Sequence, residues 1–288
     1  MCKFWCTLFL LVVLNTSSFA LRVVSLSPNL TMITHTLITA SKNKNIKLVG
    51  TIQYQGAPKY FSDITNVGNA SAINISEIMK LRPDVILAWQ KGGNLQSIAR
   101  LKQLGLHVEI FNADSLEGIG NLVKKIGQAI GLPSEANTLS QNYVKKLKHL
   151  QGNQVKSGKI KKPLVLMEFS AFPLYVAGGK GIFNEVIDFC GGRNAFQDLN
   201  SESAEVSKVA VLKRNPDIIL SLVEPLPKDQ AFRKISGSSW QQWLFLNAVK
   251  DKQIYQLNPN LLSQMTPNIL KGVRAVCKTI RQRPRQTV

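Results

Sequence analysis

The phrase RPDVILAW begins at Arg82, and NPDIILSL begins at Asn215, 133 residues further on. This near-repetition limits the possible folds more than any other feature of the chain. Each copy follows an amphipathic run, ISEIMKL in the first and VSKVAVLK in the second. Pro83 and Pro216 cannot continue a helix, and each biases the residue before it toward extended geometry. The apolar, β-branched run after the Asp reads as a strand buried on both faces, as in a parallel sheet. Each copy is therefore expected to form a helix, a stop and a buried strand.

The surroundings repeat as well. LQSIARLKQLG and then LHVEIFN follow the first copy, and the stretch around SSWQQWLFLNAV and then KQIYQLN follow the second. Each pair predicts a helix and a strand. Each half also opens on a β-rich run, LRVVSLSPN at 21–29 and PLVLMEFSAF at 163–172. Strands alternating with helices make βαβ units, so the fold class is α/β, with two lobes built on mainly parallel sheets. Pro133 and Ser134 open a helix between them, in which Leu139, Tyr143, Leu147 and Leu150 form one apolar stripe opposite a Lys-rich face. The expected organisation is an N-terminal lobe over 21–132, one long connecting helix over 133–152 and a C-terminal lobe over 153–288. Such a joint leaves a ligand cleft between the lobes. Ligands of open α/β sheets sit beyond the strand C-termini, and interdomain clefts are favoured pockets.

Residues 1–20, MCKFWCTLFLLVVLNTSSFA, stand apart. Lys3 gives a positive start, residues 4–14 a short apolar stretch, and Ser18-Phe19-Ala20 a small-x-small cleavage site, which together predict a cleaved secretory signal peptide. An uncleaved anchor is the alternative. Export leaves two cysteines, Cys190 and Cys277. In an oxidising compartment an isolated pair usually bonds, and closing so long a loop removes roughly 4–5 kcal/mol of unfolded-state entropy in the chain-entropy model. Two free buried thiols are the other reading, and no His or second Cys stands at zinc-ligand spacing near either residue. Without Lys3, the 36 basic and 17 acidic residues become 35 and 17, a charge of +18. The basic clusters, at Lys145, Lys146 and Lys148, at 156–162 and in the tail RQRPRQ, lack interleaved aromatics. They suit a solvated surface or an anionic membrane surface better than nucleic acid.

No catalytic constellation appears. GGKGIF at 178–183 has the wrong spacing for a phosphate loop, and GxSxG, HExxH and CxxC are all missing. His35, His107 and His149 are scattered through the first half with no pair four apart. Neither a catalytic residue nor a metal site is expected. Aromatic residues are better placed: Trp89 ends the first repeated strand beside QKGGN, where the second copy has Leu222. Tyr54 in GTIQYQGAP and Tyr175 in FPLYVAGG also sit at strand-to-loop transitions. Core packing is the alternative for Trp89. Three large rings at such places suggest a flat, apolar, ring-bearing ligand.

The chain resembles the periplasmic cobalamin-binding proteins of ABC importers, within the class of substrate-binding proteins whose lobes are joined by a single rigid helix. VVSLSPN, VGTIQY, LRPDVILAWQKGGN and LKQLGLHVEIFNADSLEGI carry the resemblance in the first half. VIDFCGGRNAF, LKRNPDIIL and TPNILKGVRAVC carry it in the second. The resemblance implies a periplasmic monomer that binds a corrinoid, without a catalytic cofactor, and delivers it to the permease subunits of an importer. It implies a disulfide between Cys190 and Cys277. Its implied ligand-binding set is Tyr54, Trp89, Tyr175, Ser27, Pro28, Asn260, Leu261, Leu262, Ser263 and Gln264. Family tryptophans fall at Ala70 and near Ser203 here, Met32 follows Thr31 where the family tends to have Glu, and 260–264 lacks the family's Trp, carboxylates and Arg. The glutamates that dock such proteins on permease arginines fall at Ser76 and Val209, which leaves Glu77 and Glu205 (or Glu202) to serve, or Lys208 to meet an acidic permease surface. Haem or an iron–siderophore is the alternative ligand. A periplasmic enzyme or assembly factor on the same fold would need a titratable cluster in the cleft.

Overall fold

A computed structural model of the chain describes residues 20–54, 57–91, 95–152, 162–224, 226–227, 230–236 and 238–282. Residues 1–19 of the signal segment, the lysine-rich stretch at 153–161 and the end of the basic tail lie outside these residues. Among them, no helix is long and apolar enough to cross a membrane.

The first lobe runs β1 (Leu21–Ser25), α1 (Pro28–Ala40), β2 (Ile46–Thr51), β3 (Thr65–Asn66), α2 (Ile75–Leu81), β4 (Val85–Trp89), α3 (Leu95–Gln103), β5 (Val108–Phe111) and α4 (Leu116–Ala129). Its sheet has the order β3-β2-β1-β4-β5 and is parallel throughout. Helix α5 (Pro133–Gly152) leads to the second lobe: β6 (Leu164–Ala171), β7 (Leu174–Ala177), α6 (Gly181–Phe189), β8 (Arg193–Asn194), β9 (Ser203–Glu205), α7 (Lys208–Arg214), β10 (Ile218–Ser221), β11 (Phe232–Lys234), α8 (Asn247–Lys250), β12 (Ile254–Leu257) and α9 (Ile269–Arg281). In the second sheet β8, β6, β10 and β12 are parallel, while β7, β9 and β11 add antiparallel edges.

The two copies of the repeated phrase are α2–β4 and α7–β10, each a capped helix, a stop and a buried strand. Asn74 caps α2 by accepting from Glu77 N, and Ser207 caps α7 by accepting from Ala210 N. At the stop, the residue before each Pro is not extended as expected. Arg82 (φ 43°, ψ 60°) and Asn215 (φ 47°, ψ 67°) take the left-handed conformation. Pro excludes only the right-handed helical region at its predecessor, and a left-handed residue both satisfies that exclusion and closes the helix end. Each Asp then reaches the leading strand of its own lobe. Asp84 accepts from Arg22 N at 2.6 Å while its own N–H donates to Arg22 O. Asp217 accepts from Leu164 N at 2.8 Å while its N–H donates to Leu164 O.

The apolar runs divide by strand alternation. Val85 and Leu87 enter one core and Ile86 and Ala88 another; Ile218 and Leu220 share the first of these, while Ile219 enters a third. The shared core therefore crosses from lobe to lobe, and α5 runs through it. Leu139, Tyr143, Leu147 and Leu150 turn inward, whereas Lys145, Lys146 and Lys148 are exposed. Gly127 of α4 lets α5 approach closely, since a Cβ there would collide with Ala136 and the Leu132 carbonyl. Three elements meet at Leu116: its carbonyl accepts from Tyr143 Oη of α5 (2.7 Å), and its N–H donates to Glu185 of α6 (2.9 Å). Cys190 and Cys277 form a disulfide that ties the end of α6 to α9.

The stretch 238–249, expected to be a helix, consists of turns until α8 begins at Asn247. Trp240 is buried and donates from Nε1 to the equally buried Glu168 (2.9 Å), while Leu244 and Phe245 are exposed. A run of four consecutive apolar residues cannot present a single helical face, and a tightly held tryptophan fixes the loop instead.

Two consequences follow from this architecture. Asp217 is half-buried and also receives Asn247 Nδ2 (3.2 Å), so Asp217→Ala should lose about 1–3 kcal/mol in urea unfolding. The exposed Asp84 should lose less on the same change, and equal losses or none would deny the aspartates this role. A helix embedded in a shared core cannot absorb the φ/ψ changes of a hinge. Ligand should therefore leave the radius of gyration in small-angle scattering nearly unchanged, and clamshell compaction is the result that would refute this.

Candidate functional site

The C-terminal ends of the lobe-one strands face one open cavity of about 440 Å³, whose other wall is formed by residues of lobe two. Lobe one supplies Leu26, Ser27, Pro28 and Asn29 after β1, Ile52 and Tyr54 after β2, Ala70, Trp89 and Lys91 at the end of β4, and Ala113 and Asp114 after β5. Lobe two supplies Ile182 and Phe183 in the first turn of α6, Glu202 before β9, and Asn260, Ser263, Gln264 and Met265 after β12. In the first sheet the strand order reverses between β1 and β4, the place where open α/β sheets hold ligands.

Seven of the ten residues in the expected ligand set line this cavity: Ser27, Pro28, Tyr54, Trp89, Asn260, Ser263 and Gln264. Three do not. Leu262 is buried in the shared core, packed where any Cβ on Gly272 of α9 would sit. Leu261 ends the tight 3₁₀ turn Pro259–Leu261, and its carbonyl lies against the same glycine. Tyr175 lies in β7 between buried Leu174 and Val176, so strand alternation turns its ring outward, paired with Glu205 of β9. The sequence GGN at 92–94 and Gln55-Gly56 lie outside the described residues.

The entry to α1 is a buried polar knot. Thr31 Oγ1 donates to Ser25 Oγ (2.9 Å) and Ser27 O (2.9 Å) and lies 2.8 Å from Thr51 Oγ1. Ser27 Oγ donates to Asn29 Oδ1. This network ties β1, α1 and β2 together directly beneath Ser27, Pro28 and Asn29. Tyr54 sits beside it with a buried hydroxyl that has no partner among the described residues. Burial, and secondarily the neighbouring Tyr60, push its pKa up to about 12, so it stays a neutral phenol. A buried polar atom without a partner costs about 1–3 kcal/mol, which a ligand group at this wall could recover.

Several lining residues escaped the sequence reading. Phe183 packs on Phe169 at a centroid distance of 4.7 Å and faces lobe one together with Ile182 and Met265. Lys91 spans the lobes, with Nζ 2.6 Å from Asp114 Oδ1 and 2.5 Å from Glu202 Oε1. Its position two residues after the strand-ending Trp89, within the QKGGN already singled out for its glycines, was the available signal. No such signal marks Phe183, in the first turn of α6. Among the described residues no group of three His, Cys, Asp or Glu could hold a metal.

The candidate docking residues fall on both lobes. Ser76 and Val209 are equivalent positions in the first turns of α2 and α7, both exposed. Glu77 pairs with Lys80 at 3.1 Å, Glu205 is exposed in β9, and Glu202 is engaged by Lys91. Lys208 lies 5.9 Å above the Trp240 ring.

Comparison with known proteins agrees with this architecture. A vitamin B12-binding protein of Vibrio parahaemolyticus is 25% identical over 89% of this chain and 88% of its own length. The crystal structure of the periplasmic vitamin B12 binding protein BtuF of Vibrio cholerae superposes with a TM-score of 0.76 at 25% identity, over 91% of this chain and 97% of that one. A periplasmic heme binding protein of the same organism shares the fold at 17% identity and a TM-score of 0.71, over 91% and 98% of the two chains. The family model for periplasmic binding proteins matches residues 23–261, spanning both lobes and the helix between them, and the chain belongs to that family.

Proposed function

We propose that this protein is an exported, monomeric receptor that captures a corrinoid between its lobes and hands it to the permease of an ABC importer. One observation carries the reading: Tyr54 and Trp89 on one wall of the cavity face Phe183 and Met265 on the other, with neutral polar groups around them. Ring faces suit a large flat macrocycle, and Ser27, Asn29, Asn260, Ser263 and Gln264 suit a ligand edged with amides. The vitamin B12-binding relatives match nearly their whole length, which supports the same ligand class. Residues 1–20 would direct the chain to the periplasm and be removed, leaving lobes at 21–132 and 153–288 about the helix at 133–152.

Haem or an iron–siderophore is the competing occupant, favoured by Ala70 standing in the wall where a tryptophan is expected. Tyr54 and Met265 are the lining residues of a type that can ligate haem iron. Purified protein mixed with cyanocobalamin, hemin or a ferric siderophore, passed over a desalting column and scanned for absorbance, identifies the occupant. A retained corrin spectrum is expected, and retention of haem alone would replace the reading.

Burying a ring face is worth on the order of 1–3 kcal/mol, so Trp89→Ala should weaken cyanocobalamin binding roughly 5- to 150-fold in titration calorimetry. An unchanged affinity, or a protein that no longer folds, would assign Trp89 to the core. Docking on the permease would use Glu77 and Glu205, one from each lobe. Glu77→Lys combined with Glu205→Lys should then abolish uptake while ligand binding persists. Loss of uptake from Lys208→Glu instead would reverse the charges of the interface, and uptake unaffected by all three changes would remove them from docking.

A further inference from the structure

Among the described residues that line the cavity, the charged ones are Lys91, Asp114 and Glu202. They form one cluster at the mouth, with Lys91 of lobe one held by Asp114 of its own lobe and by Glu202 of the other. Their side chains are about half exposed, at 49%, 56% and 58%. The cation is outnumbered, so the mouth carries a net charge of −1 on a chain whose formal total is +19. In sequence, the residues that follow Tyr54 and Lys91, at 55–56 and 92–94, are Gln, Gly, Gly, Gly and Asn and carry no charge.

We infer that this cluster selects ligands by charge, admitting neutral and cationic corrinoids and disfavouring anionic macrocycles such as haem with its propionates. The inference rests on the corrinoid reading and adds the charge class of the ligand. The two carboxylates share one ammonium, so one negative charge stays uncompensated where a ligand must pass and settle. Polar groups elsewhere on the walls carry no formal charge to offset it. A protein of such basic composition would by its overall field attract anions, and a local anionic mouth reverses that preference where the ligand makes contact.

The test compares two corrinoids that differ in charge at the metal, cyanocobalamin (neutral) and aquacobalamin (cationic at mildly acidic pH). The quantity read is the ratio of their Kd values. Wild-type protein is expected to prefer aquacobalamin. Lys91→Met leaves the mouth at −2 and should enlarge the preference. Asp114→Asn combined with Glu202→Gln leaves it at +1 and should erase or invert it. Each unit of charge should shift the ratio on the order of three- to tenfold at low salt, shrinking as ionic strength rises. Both variants break the bridge between the lobes, so a purely structural role would move the ratio in the same direction in both, or not at all. Either result overturns the inference while leaving corrinoid binding intact. Failure of the wild-type protein to bind either cobalamin would instead overturn the corrinoid reading and this inference with it. Melting curves on both variants check that the exposed substitutions leave the fold in place.

Discussion

In each lobe a single carboxylate sets the register on which the sheet is built. Asp84 and Asp217 each exchange two hydrogen bonds with one residue at the head of the leading strand, Arg22 in lobe one and Leu164 in lobe two. A parallel strand pair carries no turn to fix its alignment, and a slip by one residue would move every apolar side chain to the wrong face. The Pro-Asp pair answers both problems in two residues: Pro forces the helix to stop, and Asp locks the strand that follows. From that lock come the pairings Val23 with Val85 and Val165 with Ile218, and with them the division of the apolar runs into a shared core and two separate ones.

The shared core governs what the protein can do mechanically. Because α4, α5, α6 and α9 contribute to one apolar body, the lobes are not independent units on a tether. Leu116 makes the point locally, its N–H taken by Glu185 and its carbonyl by Tyr143. Burial raises the Glu185 pKa despite that bond, a cost accepted at a junction between three helices. A cavity held open by such a frame is largely formed before the ligand arrives, so little ordering is left to be done on binding.

The sequence made the α/β class, the single connecting helix and the buried strands legible, because those depend on periodicity and on Pro. The left-handed stops at Arg82 and Asn215 were not legible, since a preference against one backbone region leaves the choice among the others to the helix end. The turns at 238–246 were missed for a related reason: the Trp240–Glu168 bond that organises them joins residues 72 apart. At the site, Tyr54 and Trp89 stood out as large rings at strand ends. Tyr175 met the same description but lies in a strand whose alternation faces it outward, a difference that depends on the register with β9. Leu261 and Leu262 came from a resemblance read across a segment where the family's polar residues are replaced. There Leu262 turns into the core and Leu261 sets its carbonyl against Gly272, while Asn260, Ser263 and Gln264 keep to the cavity.

The lobes repeat in their frames and diverge where the frames end. Strand cores are constrained on both faces by packing, so RPDVILAW and NPDIILSL remain alike. One residue beyond the common strand, Trp89 answers to Leu222, and Leu26 answers to Glu168. In lobe two the equivalent of a cavity-lining leucine is thus a buried carboxylate bonded to Trp240, which closes that strand end with a loop instead of leaving it open to ligand. Lobe two reaches the cavity through the first turn of α6 and the approach to β9, which have no counterpart in the repeat, and through the turn after β12, which answers to the turn after β5. The asymmetry places ring faces from the strand ends of lobe one opposite a mixed apolar and polar surface from the loops of lobe two. An ordinary duplication of strand ends would have given two like walls.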